Sequence, residues 1–103
     1  MKIIKCLAEK IEDELHDSDE YIALALSWKD EQPEAADLFY DLSLEEMGHV
    51  DKIHAVVAKI IADYREKTGE PPKEMLVLYD YLHSKHIGEA MRIKVKQGMF
   101  KTE

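Results

Sequence analysis

Glu46 and His49 stand three residues apart in the stretch LSLEEMGHVDKIH, residues 42–54, and Glu14 stands in an otherwise apolar stripe near the start of the chain. On a helix, side chains at i and i+3 share a face, so this carboxylate and imidazole can reach one point. Oxygen and nitrogen donors so placed suit a divalent transition-metal ion. Without an ion, a carboxylate turned into a protein interior is costly and tends to take up a proton. The spacing of the surrounding residues points to such an interior. Leu42, Glu46, His49, Ile53, Val56 and Ile60 follow one another at steps of four, three, four, three and four, the pattern of one buried helical stripe. Ile4, Leu7, Ile11, Glu14, Ser18, Tyr21, Ala25 and Trp28 form a second seam with heptad steps. Glu14 is the one acid in that seam; Glu12, Asp13 and Glu20 fall off it and read as solvated surface charge.

Three helices must position these residues. Pro33, in KDEQPEAA, suits the first turn of a helix, where its missing N–H costs nothing. In KTGEPPKE, Gly69 can close one helix and the proline pair can begin the next. Gly98 reads as the end of the third. The segments expected are roughly 2–31, 33–67 and 72–97, and no stretch alternates with period two. The chain therefore reads as a single all-α domain, 1–103: an antiparallel helical hairpin plus a third helix.

Folding the hairpin about residue 32 puts Glu14 about 26 Å, Glu46 about 20 Å and His49 about 25 Å from the turn, at the rise of an α-helix. The three share one level and face one interior. A Glu-x-x-His spacing alone carries little weight, since 13 glutamates and five histidines give about half an occurrence by chance. The coincidence with an inward Glu14 at matched depth is more specific. The alternative is that Glu14 and Glu46 reach the bundle surface on their aliphatic stems and His49 is a satisfied core histidine.

Composition bounds the partners. With 103 residues and 46% apolar content the chain can bury a helical core, yet it is small enough to need a second subunit to finish it. Net charge is −8, from 22 acidic and 14 basic side chains, which argues against a nucleic-acid partner. The lone Cys6 excludes a disulfide framework and fits a reducing compartment. The opening MKIIKCLAEK has too short an apolar run for a signal peptide or a membrane span, so a cytoplasmic location is expected.

EDELHDSDEYIALAL followed by DLFYDLSLEEMGHVDKIH resembles the first half of the ferritin-like, rubrerythrin-type di-iron carboxylate family. The resemblance covers residues 5–60. It is carried by a first-helix Glu seven residues before a Tyr (Glu14, Tyr21), a Phe ten residues before the motif histidine (Phe39, His49), and the length of the turn between the helices. It implies Glu14 as a terminal carboxylate ligand, Glu46 as a bridging carboxylate, His49 as the nitrogen ligand and Tyr21 as a hydrogen-bond donor behind them. Single-chain members have four core helices and twice this ligand set, whereas the third helix here does not repeat the motif. A two-fold dimer restores the set, as in the similar encapsulated ferritins, whose iron site forms between subunits. The tail GMFKTE, read as short and frayed, does not resemble the peptide that directs cargo into encapsulin shells.

The third helix has an inward stripe of Met75, Tyr79, Leu82, His86, Ala90 and Ile93. A metal site at His83, His86 and Glu89 is conceivable, but these fan across about a third of the helix circumference, and a covering helix with histidines at its border fits better. His16 and His54 lie off the seams and read as exposed, Trp28 as a core plug near the turn, and Asp17 as an acid bordering Glu14. Ile11, Leu42 and Ile53 are expected to need a partner surface. The expectation is thus a ferritin-like four-helix core completed by homodimerisation, or by a larger even-numbered homo-oligomer. It would hold two iron ions per dimer, with manganese or zinc possible, and oxidise Fe(II) as a ferroxidase or peroxide-detoxifying oxidoreductase. No rubredoxin-type cysteine pairs are present, so any further electrons come from an electron donor outside this chain. The competing expectation is a metal-free oligomeric helical adaptor or structural module.

Overall fold

The computed structural model describes residues 2–102; Met1 and Glu103, the ends of the expected 1–103 domain, lie outside the described residues. The described chain is all-helical, with α1 at Lys2–Trp28, α2 at Pro33–Thr68 and α3 at Lys73–Thr102. Helix α1 stops earlier than expected: the Gln32 N–H bonds the Trp28 carbonyl at 2.8 Å, and residues 29–31 make the turn. Pro33 opens α2 at its first positions. Gly69 closes it with φ 90° and donates its N–H to the Arg65 carbonyl at 3.2 Å, a backbone conformation that glycine adopts without a Cβ penalty.

Gly98 does not end α3, and the described residues of the tail, 98–102, continue the helix rather than fray. Phe100 is buried, its ring stacks on Tyr40 with centroids 4.9 Å apart, and the Lys29 ammonium donates to its carbonyl. Burying a phenylalanine contributes roughly 1.5–3 kcal/mol, which outweighs the roughly 1 kcal/mol that a helix-interior glycine costs relative to alanine.

Helices α1 and α2 run antiparallel, locked where both carry a serine. Ser18 Oγ donates to the Ser43 carbonyl and Ser43 Oγ to the Ser18 carbonyl, each at 2.8 Å, and the Gln97 amide of α3 donates to Ser43 Oγ at 3.0 Å. Both serines are fully buried and every hydroxyl proton is used. Two small residues let the backbones approach closely, and the reciprocal bonds fix the register along the axis. Helix α3 runs parallel to α1 and antiparallel to α2, as the pairs Lys85–Glu12, Lys96–Asp19 and Gln97–Ser43 record.

The buried stripes differ from the expected seams by a rotation. In α1 the buried residues are Ile4, Ala8, Ile11, Leu15, Ser18, Ile22 and Ala25. Half of the expected seam is kept, while Leu7, Glu14 and Tyr21 are only half-buried and Trp28 is 41% exposed rather than a core plug. In α2 the buried set is Ala36, Ser43, Met47, Val50, Val57 and Ile61, one residue on from the expected stripe. Leu42, Glu46, Ile53 and Ile60 are half-buried, and His49 and Val56 are exposed. The cause is α3, whose Ile93 and Phe100 join Leu15, Ile22, Met47 and Val50 in the main core. It covers one side of the hairpin and leaves the other open. Ile11, expected to need a partner, is already covered within the chain.

Candidate metal-binding site

The open side of the hairpin carries the three residues singled out by their spacing. Glu14 comes from the middle of α1, and Glu46 and His49 from successive turns of α2. The antiparallel register set by Ser18 and Ser43 brings them level. One donor atom from each lies within 4.8 Å of the other two, and among the described residues no other such group of three exists. His49 Nδ1 is 3.2 Å from Glu14 Oε2 and 3.6 Å from Glu46 Oε2. The shorter contact is a hydrogen bond when the proton sits on Nδ1, and the longer one is an electrostatic contact only. Side-chain exposure is 25% for Glu14, 18% for Glu46 and 50% for His49, so Glu46 is the deepest of the three.

The trio sits in an apolar strip rather than in a deep interior. Tyr21, two turns along α1 from Glu14, stacks its ring on Phe39 of α2 at 6.3 Å, and Leu42, one turn on from Phe39 in α2, is half-buried. Towards the other end, Ile53, Leu7 and Ile60 are half-buried around Ile4, Val57 and Ile61. A wet edge of two carboxylates and an imidazole is therefore flanked on both sides by apolar side chains. This arrangement can gather a divalent cation from solvent through one nitrogen and up to four oxygen atoms.

Asp17 is not part of it. That side chain lines a cleft of about 700 Å³ between α1 and α3, together with Glu12, Asp13, Arg92 and Lys96. Nor do His83, His86 and Glu89 converge. His86 Nε2 lies 3.4 Å from Glu12 Oε2, Glu89 lies 3.9 Å from the Lys85 ammonium, and His83 turns towards α2. Glu12, expected to be free surface charge, bonds Lys85 at 2.6 Å; that hydrogen bond holds its carboxyl below the usual range against the opposing effect of partial burial.

One pair escaped the sequence reading. His54 Nε2 and His83 Nδ1 are 2.9 Å apart between α2 and α3, with Tyr79 stacked on His83 at 5.6 Å. Burial, then the neighbouring His54 and His86, lower the His83 pKa from its ordinary 6.5, against a smaller opposing effect of Asp80. The signal was present in the sequence: Ser43, Met47, Val50, His54, Val57 and Ile61 form a heptad-spaced column, so moving the stripe by one residue places His54 inside it.

Comparison with protein-family models, curated proteins and solved structures returned no match. No helix of the described chain is long and apolar enough to cross a membrane.

Proposed function

We propose that the chain is one half of a ferritin-like di-iron protein. Two copies would pair through their open hairpin faces, and each would supply Glu14, Glu46 and His49 to a shared site for two iron ions. One observation carries the reading: two carboxylates and an imidazole converge within 4.8 Å at mid-length on the side of the hairpin that α3 leaves uncovered. The donor set fits the metal. Carboxylate oxygens with one nitrogen per ion suit iron first and manganese second, with zinc able to occupy the same ligands. Iron held by these residues would supply redox chemistry, each Fe(II) giving one electron to dioxygen or peroxide and becoming Fe(III).

The residues have separate tasks. Glu46 would be the bridging carboxylate and Glu14 the terminal one, the roles that the resemblance implies. His49 gives up its hydrogen bond to Glu14 and presents the Nδ1 lone pair. Tyr21 is anchored by its ring on Phe39, and its hydroxyl would serve as the hydrogen-bond donor behind the ligands that the resemblance implies. The flanking apolar side chains exclude water once a second copy covers them.

Surface area supports pairing. A compact protein of 11.9 kDa exposes about 5,900 Å², whereas this chain exposes 6914 Å². The excess of about 1,000 Å² is the size of one partner's share of a stable interface. The molecule is also long and thin, 56 × 19 × 18 Å, with a radius of gyration of 16.5 Å against about 13 Å for a compact chain of this length. A metal-free adaptor is the second reading. It is favoured by the apolar residues on the outer side of α3, among them Val77, Tyr81, Met91, Val95 and Met99, all exposed. Anaerobic loading with Fe(II), followed by measurement of iron per chain and of the Fe(III) absorbance that develops in air, separates the two. The di-iron reading requires about one iron per chain and oxidation faster than in buffer; no bound iron supports the adaptor.

A further inference from the structure

The imidazoles of His54 and His83 meet between two helices that otherwise touch sparingly at this end. The ring centroids are 4.6 Å apart with planes 20° from parallel, and the rings are offset so that one nitrogen of each comes within 2.9 Å of the other. We propose that His54 and His83 form a second cation site, which takes a divalent transition-metal ion of the zinc(II) type and ties α2 to the N-terminal half of α3.

The geometry is close to what such an ion requires. Two nitrogen ligands at about 2.0–2.1 Å from a tetrahedral ion stand roughly 3.3–3.4 Å apart, so the pair opens by about half an ångström to admit it. Each imidazole projects from an uninterrupted helix, and the stack of Tyr79 on His83 holds one ring in place. Burial and the neighbouring histidines favour the neutral, lone-pair-bearing form of His83. No third carboxylate, thiol or imidazole donor reaches the same point among the described residues, so the protein gives two ligands and water completes the set. Room for water exists: a cleft of about 220 Å³ adjoins the pair and is also lined by Asp51, His86 and Lys94. The site lacks the carboxylates of the Glu14, Glu46 and His49 trio, and therefore prefers zinc or copper to iron. It stands independently of the di-iron reading.

Zinc(II) titration of the full chain by calorimetry, with melting curves recorded in parallel, tests it. The variants are His83→Asn and His54→Gln, which keep a hydrogen-bonding atom near the lost nitrogen but are poor zinc ligands, and His49→Ala, which disables the trio. The expected result is a zinc-binding step that survives in His49→Ala and weakens at least about tenfold in both amide variants. Zinc should raise the melting temperature of His49→Ala and leave the double variants His49→Ala/His83→Asn and His49→Ala/His54→Gln unmoved, since the trio that could also take zinc is disabled in all three. If the amide substitutions leave zinc binding unchanged in the His49→Ala background, or if no binding survives His49→Ala, the pair is only an N–H···N hydrogen bond and the proposal is overturned.

Discussion

His49 faces two carboxylates with half of its side chain still in solvent, which limits what the trio can add to stability. Exposed charge pairs of this kind are worth about 0–1 kcal/mol. Glu46→Ala and His49→Ala are accordingly expected to leave helical content intact and to shift unfolding by less than about 1 kcal/mol. Both should abolish bound iron and Fe(II) oxidation, and Glu14→Ala should weaken them. Glu45→Ala and Glu20→Ala, which alter exposed neighbours, should change neither. Iron content measured by elemental analysis on these five variants checks the assignment, and a loss that tracked Glu45 and Glu20 instead would overturn it. The residue types and the common level of the trio were legible in the sequence, because helical rise alone brings residues 14, 46 and 49 together across a turn near residue 32. Their degree of burial was not, since it depends on which side the third helix takes.

Periodicity in α2 offered two adjacent columns of nearly equal quality, Leu42 to Ile60 and Ser43 to Ile61. Both carry heptad steps, and the first looked more apolar at its ends. What decides between them is Ser43, small enough for close approach and bonded to Ser18 and Gln97, together with the placement of Ile93 and Phe100. Both are long-range facts, invisible to a local pattern. The same limit explains Gly98, where a locally strong stop is overridden by the burial of Phe100. Ser43→Val tests the lock. It adds bulk at the closest approach of α1 and α2 and leaves the Gln97 amide without its acceptor, so chemical denaturation should show a loss of roughly 2–5 kcal/mol. The α2–α3 contact should respond to acid. The pKa of His83 is lowered in the folded chain, so its contribution is present above the unfolded value near 6.5 and is lost as pH falls through the folded value. In the presence of a chelator, stability should therefore decline below about pH 6.5 more steeply in the wild type than in His83→Asn. Equal slopes would remove His83 from the account.

At the scale of the molecule, the proposed dimer makes a prediction about the open face, which a second copy would cover. Ile53 is half-buried on that face, whereas Val95 is exposed on the outer side of α3. Ile53→Glu should convert the dimer to monomer and lose iron with it, while Val95→Glu should keep both, as read by light scattering and elemental analysis. A Val95→Glu variant that dissociated while Ile53→Glu did not would move the interface to α3 and favour the adaptor reading. The all-helical class and the hairpin were legible from two proline-marked breaks and the absence of any period-two stretch.

The central claim is a shared di-iron site, and anomalous scattering at the iron edge from crystals of protein never exposed to chelator addresses it most directly. The account predicts two iron peaks beside a two-fold axis, bounded by Glu14, Glu46 and His49 of both chains. A well-ordered crystal with no anomalous peak at these residues, or a chain that remains monomeric with the trio open to solvent, would contradict it.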